Sequence, residues 1–276
     1  MIENSRLRDF ENSKKTSENY ELSEPLNTKH LTLNTKIPIS FSFKQFSVRM
    51  ERCAMKVGTD GVLLGAWALP FKAGAASILD VGTGSGVIAL MMAQRFPNAQ
   101  IHAIDIDADA AAQAAENFSA SPWSNRLTAQ HADFLQFAQN CSQKFDLIVS
   151  NPPFFARSLQ CPNDARTAAR HDSALPLSSL ILSAAALLSP DGTLCIIVPA
   201  DRANDVESLC DTNSLNIINK TNVISIEGTA PKRILYSISH SQAQRITSSL
   251  TISTTSHTPT PEYTALVDPF YLRIKV

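Results

Sequence analysis

The stretch Leu79-Asp80-Val81-Gly82-Thr83-Gly84-Ser85-Gly86 decides the fold of this chain. Before it, SILDVG (77–82) reads as a short apolar strand. After it, GVIALMMAQRF (86–96) is apolar on most faces, which suits a helix packed on a sheet. Glycine allows a tight turn and a close approach of backbone to a ligand. A strand, a glycine turn and a helix in that order open a doubly wound α/β sheet.

The flanks repeat the alternation. VLLGAWAL (62–69) reads as a helix ahead of the glycine turn. Beyond it come a strand ending in acids (IHAIDID, 101–107), an alanine-rich helix (108–118) and a strand closed by an aspartate (RLTAQHAD, 126–133). A short helix (134–139) and the continuous apolar strand FDLIVS (145–150) follow. Residues 176–189 read as a helix stopped by Asp191-Gly192, then TLCIIVP (193–199) as a strand and 201–211 as a helix. Residues 215–226 and 232–239 are strand-rich with no helical pattern between them, which predicts an antiparallel pair. Buried parallel strands read as unbroken apolar runs, as FDLIV and LCIIV do. The expected fold is α/β, a doubly wound, mostly parallel seven-stranded sheet with an antiparallel edge strand. Residues 240–260 offer at most one more edge strand or a loop, and YTALVDPFYLRIKV is apolar enough to fold back onto the domain. Residues 1–36 are polar and glycine-free and read as a disordered tail; 37–276 form one domain with an extension at 37–70.

Composition narrows the class. With 276 residues, 44% hydrophobic and 18% charged, the chain suits one globular domain. A net charge of −1 gives no global basic field, so any nucleic acid must be met by local patches. Five cysteines without a C-x-x-C pair, and histidines without ligand spacing, predict a reduced, cytoplasmic protein with no metal. No apolar run spans a membrane and the N-terminus lacks a signal-peptide core, so the expectation is a monomer with no membrane partner.

Candidate sites fall at successive strand ends, where open α/β sheets bind ligands. Gly82, Gly84 and Gly86, with Thr83 among them, follow G-x-G-x-G, not the dinucleotide spacing G-x-G-x-x-G. Asp80 stands beside the turn. A carboxylate there disfavours a pyrophosphate and favours a ligand with a free ammonium, which points to S-adenosylmethionine over NAD. Asp105, 23 residues after Gly82, suits two ribose hydroxyls, with Ile106 beside it, while Asp107 or Asp109 suits a helix cap. For Asp133 two readings fit equally: acceptor for an adenine amine, or cap of helix 134–139. Thr59 and Asp60 suit either the methionine end of the donor or the cap of helix 62–69, the cap being preferred.

The fourth strand leaves through Asn151-Pro152-Pro153-Phe154. The prolines fix φ and remove N–H groups, so the Pro152 carbonyl is free to face the cleft. With the Asn151 side-chain oxygen it forms two acceptors for one –NH2 group. Phe154 offers a stacking face for a planar base. Lys44, Arg49, Arg52 and Lys56 lie among Phe41, Phe43 and Phe46, which suits phosphate and base contacts or, equally, a solvated face on an apolar anchor. Phe155, Arg157, Arg170 and His171 follow the Pro-Pro corner in a loop suited to substrate contact.

LDVGTGSG, AIDID, HAD and SNPPFF together resemble the class I S-adenosylmethionine-dependent amino-methyltransferases. FSFKQFSVRMERCAMKVGTDGVLLGAWA (41–68), SPWSNRLT (121–128) and EYTALVDPFYL (262–272) resemble the bacterial tRNA(Val) adenine-37 N6-methyltransferases. That resemblance covers residues 41–276 and implies methyl transfer to the N6 amine of adenine 37 in tRNA. It places the Asn-Pro-Pro-aromatic motif on Asn151 to Phe154, with Phe where many relatives carry Tyr. The competing readings are the same chemistry on a guanine amine of rRNA, a DNA adenine or a protein glutamine, a silent RNA-binding scaffold, and an NAD-dependent dehydrogenase. The intact Asp80, Gly82, Asp105 and Asn151 weigh against the scaffold, and the glycine spacing against the dehydrogenase.

Overall fold

A computed structural model describes residues 39–72, 74–153 and 175–273. The expected tail at 1–36, and Phe154, Phe155, Arg157, Arg170 and His171, lie outside the described residues. A small antiparallel ribbon comes first, β1 (Ser40–Ser42) and β2 (Ser47–Arg49), then helix α1 (Thr59–Trp67). The wound core runs β3 (Ser77–Val81), α2 (Val87–Arg95), β4 (Gln100–Asp105), α3 (Ala108–Ser119), β5 (Leu127–His131), α4 (Phe134–Asn140) and β6 (Phe145–Ser150). After it come α5 (Leu177–Leu187), β7 (Leu188–Pro199), α6 (Ala203–Thr212), β8 (Asn216–Ile226), β9 (Arg233–Ser239), β10 (Ile246–Ser253) and α7 (Pro261–Val267).

The main sheet has eight strands in the order β10-β8-β9-β7-β6-β3-β4-β5. Strands β7, β6, β3, β4 and β5 pair in parallel. The expected seven strands are present, and β10 adds an eighth by pairing in parallel with β8. The antiparallel strand β9 lies inside the sheet, between β7 and β8, and not at its edge. Two core clusters cover the two faces. One gathers α1, α2 and the N-terminal aromatics, the other α5, α6 and the opposite faces of β3, β6 and β7.

Two element boundaries differ from the sequence reading. Helix α5 ends at Leu187, before the Asp191-Gly192 expected to stop it, because those residues lie in an irregular start of β7 where its register against β6 shifts. Gly192 is required there, since a Cβ would fall 2.6 Å from the Phe145 carbonyl oxygen. Helix α1 starts at Thr59, earlier than expected, and its cap residue is Gly58 with no side-chain cap bond. The preferred reading of Thr59 or Asp60 as the cap is therefore wrong: both lie inside the first turn.

The N-terminal ribbon is held by aromatic packing. Phe43 and Phe46 are buried and stacked at 4.6 Å between centroids, Phe43 stacks on Tyr271, and Phe46 meets Trp123 edge-on. Asn117 of α3 locks it from the other side. Its buried amide donates to the carbonyls of Arg49 (2.9 Å) and Ser85 (2.8 Å), and its oxygen accepts from Arg49 N–H (3.0 Å). One side chain thus joins the ribbon, α3 and the glycine turn. Removing a buried amide leaves its partners unpaired, at about 1–3 kcal/mol for each group that water cannot reach. Asn117→Ala should cost roughly 2–4 kcal/mol. Thermal melting should show a midpoint lower by several degrees, and hydrogen exchange at the Arg49 amide should accelerate.

Candidate active site

The parallel register sets three strand ends side by side. Val81 pairs with Ser150 on β6 and with Ile104 on β4, and Asp105 pairs with His131 on β5. The next residues outward are therefore Asn151, Gly82 and Asp105, in one row along the carboxyl edge. The chain runs β3, β4, β5 to one side and returns with β6 on the other side of β3, so the row straddles the point where strand order reverses. The buried Ser150 hydroxyl donates to the Val81 carbonyl at 2.8 Å and closes the two strand ends together.

The glycine turn is built from its own amides. Gly82 and Thr83 N–H donate to Ile104 O, Gly86 N–H to Thr83 O, and Gly84 N–H to Asp105 Oδ2 at 2.8 Å. These four donors are already matched by protein acceptors, so the turn is not a phosphate nest. This is the structural reason a dinucleotide pyrophosphate does not belong here. Gly82 and Gly84 have φ of +72° and +56°, and a Cβ at either would meet only open space, the space a ligand would use. Gly86 has a packing duty of its own. It begins α2 in a left-handed conformation, and a Cβ would fall 2.5 Å from Phe118 Cε1, so it secures helix packing.

Asp80 is fully buried. Its Oδ2 accepts from the Thr83 hydroxyl (2.7 Å) and Ala89 N–H (3.2 Å), so the Thr83 side chain serves Asp80. Oδ1 is buried with no hydrogen-bond partner among the described residues. Burial pushes the carboxyl up from its ordinary 3.8 to about 7, against the lowering pull of those two hydrogen bonds. An orphaned acceptor beside an open glycine turn fits a cationic donor group. Asp105 is raised by burial too, and accepts backbone N–H from Asp107 (2.9 Å) and Gly84 on separate oxygens. A carboxylate has about four acceptor sites, so each oxygen retains room for a hydroxyl. Ile106 beside it is 52% exposed, an apolar face next to the crevice.

Asp107 caps α3, accepting from Asp109 and Ala110 N–H, as one of the acids there was expected to do. Asp133 caps α4 through Oδ1, accepting from Gln136 N–H at 2.9 Å, so the capping reading holds and Oδ2 is the oxygen left for a ligand. A pocket of about 400 Å³ along β5 and α4 touches Asp133, His131 and Phe137 but not Gly82, Asp105 or Asn151; it neighbours the crevice and is not the crevice.

Asn151 is half-buried, Pro152 buried and Pro153 exposed. Gly61 of α1 stands against Asn151, with an ideal Cβ 4.0 Å from Asn151 Nδ2, so the start of α1 walls the corner. Asp60 is held by the last part of the sheet, its Oδ2 accepting from Arg233 Nε at 2.8 Å. Thr59 opens the same turn. The basic residues of the extension are engaged locally: Lys44 with Asp268 (3.1 Å), Arg49 with Glu51, Arg52 with Glu116, and Lys56 Nζ with the Met50 carbonyl. Exposed ion pairs of this kind are weak and exchange readily for phosphate. Of the aromatics in that expectation, Phe43 and Phe46 are core residues and offer no stacking face, while Phe41 is half-buried. Sequence reasoning missed Asn117 and Ser150, whose only signal was a polar residue inside an apolar pattern.

The Methyltransferase small domain family matches residues 66–212. Among similar proteins, the tRNA1(Val) (adenine(37)-N6)-methyltransferase of Phocaeicola vulgatus is 46% identical over 85% of this chain and 98% of its own length. That of Actinobacillus succinogenes is 45% identical over 84% and 97%. The crystal structure of a predicted O-methyltransferase from Agrobacterium tumefaciens superposes with a TM-score of 0.59 at 20% identity, covering 76% of this chain and 96% of that one, a likeness of fold alone.

The Asp80 geometry has a consequence for stability without any ligand. Below about pH 4 the carboxyl is protonated folded or unfolded. Between about 4 and 7 the folded chain holds a proton that the unfolded chain has released, so stability falls as pH rises through that window. Above it the full penalty stands, roughly 4 kcal/mol by linkage. Asp80→Asn removes this slope. Denaturation curves at pH 5 and pH 8 should show the variant gaining on the wild type by a few kcal/mol at the higher pH; parallel behaviour would mean the carboxyl is not raised.

Proposed function

We infer the reaction from kinship and site together: the chain belongs to the Methyltransferase small domain family and, within it, to the tRNA1(Val) (adenine(37)-N6)-methyltransferases. The proposed reaction is transfer of a methyl group from S-adenosylmethionine to the exocyclic N6 of adenine 37 in tRNA(Val), a reaction of the cytoplasm. The observation that carries it is the adjacency of Asn151 and Gly82 across the β6–β3 register, which sets an amine-binding corner beside a donor-binding turn.

The residues fit the donor. Asp80 Oδ1, buried and unpartnered, would take its ammonium; Gly82 and Gly84 leave the space it needs; Asp105 would take the ribose hydroxyls, Ile106 the adenine face and Asp133 Oδ2 the adenine amine. Thr59, in the first turn of α1, lines a neighbouring pocket with Asp60 and Arg233. When bound, S-adenosylmethionine supplies an electrophilic methyl group on a sulfonium.

The rest of the chemistry is positional. The Asn151 Oδ1 and the Pro152 carbonyl accept the two hydrogens of the target amine. Holding both draws the nitrogen lone pair out of conjugation with the ring and aims it along one line. No strong base is required, because the amine becomes acidic only as the new N–C bond forms, and its proton then leaves to solvent. Phe154 would supply the stacking face, worth about 1–3 kcal/mol in comparable single-strand contacts. Holding the amine in a near-attack geometry would remove the entropy of alignment from the barrier.

Asn151→Ala should leave donor affinity within a fewfold by calorimetry while turnover falls by at least a hundredfold. Loss of donor binding in that variant would make Asn151 structural. Incubating the wild type with labelled donor and tRNA lacking the modification, followed by nucleoside analysis, should yield N6-methyladenosine. Methylguanosine, or label in protein alone, would replace the acceptor.

A further inference from the structure

A second pocket of about 360 Å³ lies at the same carboxyl edge of the sheet, on the β8–β10 side of α1. Its polar rim carries Lys232, Arg233 and His257, and its floor is Leu63, Val223 and Ile252. Among the described residues the only carboxylate lining it is Asp60, already paired with Arg233, so the described rim keeps an excess positive charge. Lys232 is exposed at the start of β9. His257 sits at the tip of a turn fixed by Thr258 N–H donating to Thr254 Oγ1, and is exposed. The size is in the range of small-ligand sites. The first turn of α1 lies between this pocket and the Asn151 corner: Asp60 lines the pocket, and a Cβ added at the next residue, Gly61, would lie 4.0 Å from Asn151 Nδ2.

We propose that this pocket holds one nucleotide of the substrate RNA adjacent to the target adenosine, its phosphate between Lys232 and Arg233 and its base over the apolar floor. The proposal rests on the RNA reading above and names a subsite within it. The chemistry favours RNA because cationic donors for a phosphate stand beside an aliphatic floor against which the face of a base can pack. A base splayed from its strand for chemistry leaves its neighbour to be held as well. Arg233 is thereby a positioning residue too, since its ion pair fixes the turn of α1 that walls the catalytic corner.

The test uses the full chain with in vitro transcribed tRNA(Val) and the exposed-residue variants Lys232→Ala and His257→Ala. KM for tRNA should rise several-fold in each, with kcat and donor affinity unchanged. The slope of log affinity against log salt should fall by about one for Lys232→Ala. If the wild type methylates tRNA and both variants match it in KM and salt slope, the subsite is wrong and the function stands. A loss of donor affinity in either variant would assign the pocket to the donor, and a wild type that methylates no tRNA removes both readings.

Discussion

The parallel pairing of β3 with β6 on one side and β4 on the other is the constraint on which the site depends. Val81 is in register with Ser150 and with Ile104, and the Ser150 hydroxyl bonds the Val81 carbonyl. A parallel ladder fixes every residue beyond it to within one step. A slip of one residue would turn the apolar side chains of β6 from one core cluster to the other and move Asn151 away from Gly82. The apolar continuity of SILDV and FDLIV buries both faces, so the register is held by how each side chain packs in its own cluster and by the Ser150–Val81 bond, and the position of Asn151 depends on both.

The stability carried by that sheet is partly spent at Asp80. A buried carboxylate with one orphaned oxygen is costly, and natural chains keep such groups where a ligand completes them. Its neighbours are arranged to hold it in place without satisfying it: Thr83 and Ala89 both bond Oδ2, leaving Oδ1 bare. Asp105 follows the opposite design. Both of its oxygens are tied to backbone amides, so it is rigid before any ligand arrives. The proposed donor would meet one group that it relieves and another that is already set.

Much of this was legible in the sequence, and the failures have a common cause. The strands β3 to β6, the glycine turn and the cap at Asp107 depend on local pattern, and the pattern decides them. The aromatic residues at 41–46 carried two readings because their partner Tyr271 is distant in sequence, and only tertiary contact shows that Phe43 is core. Asp60 misled for the same reason, since Arg233 lies 173 positions away and comes to it only through the sheet. The start of β7 at Leu188 was hidden because Pro190, Asp191 and Gly192 read as a turn, while the sheet absorbs them as an irregular strand entry. Phe154 and the basic loop after it fall outside the described residues, so the stacking face remains a sequence expectation.

The arrangement also explains why an Asn-Pro-Pro corner, and not a general base, suits an aromatic amine. The lone pair of such an amine is delocalised into its ring, so its weakness as a nucleophile comes from conjugation and not from a proton to be removed. A base would act on the wrong problem. Two acceptors held in fixed directions address the right one, and they must not move. Proline at 152 and 153 would supply that rigidity from the backbone, with the first turn of α1 beside Asn151. The wall that steadies the acceptors is the same turn whose Asp60 is pinned by Arg233. On the proposed reading, RNA held beyond that turn would act on the Asn151 amide through one residue of helix. Substrate recognition and the geometry of attack would then share a single element.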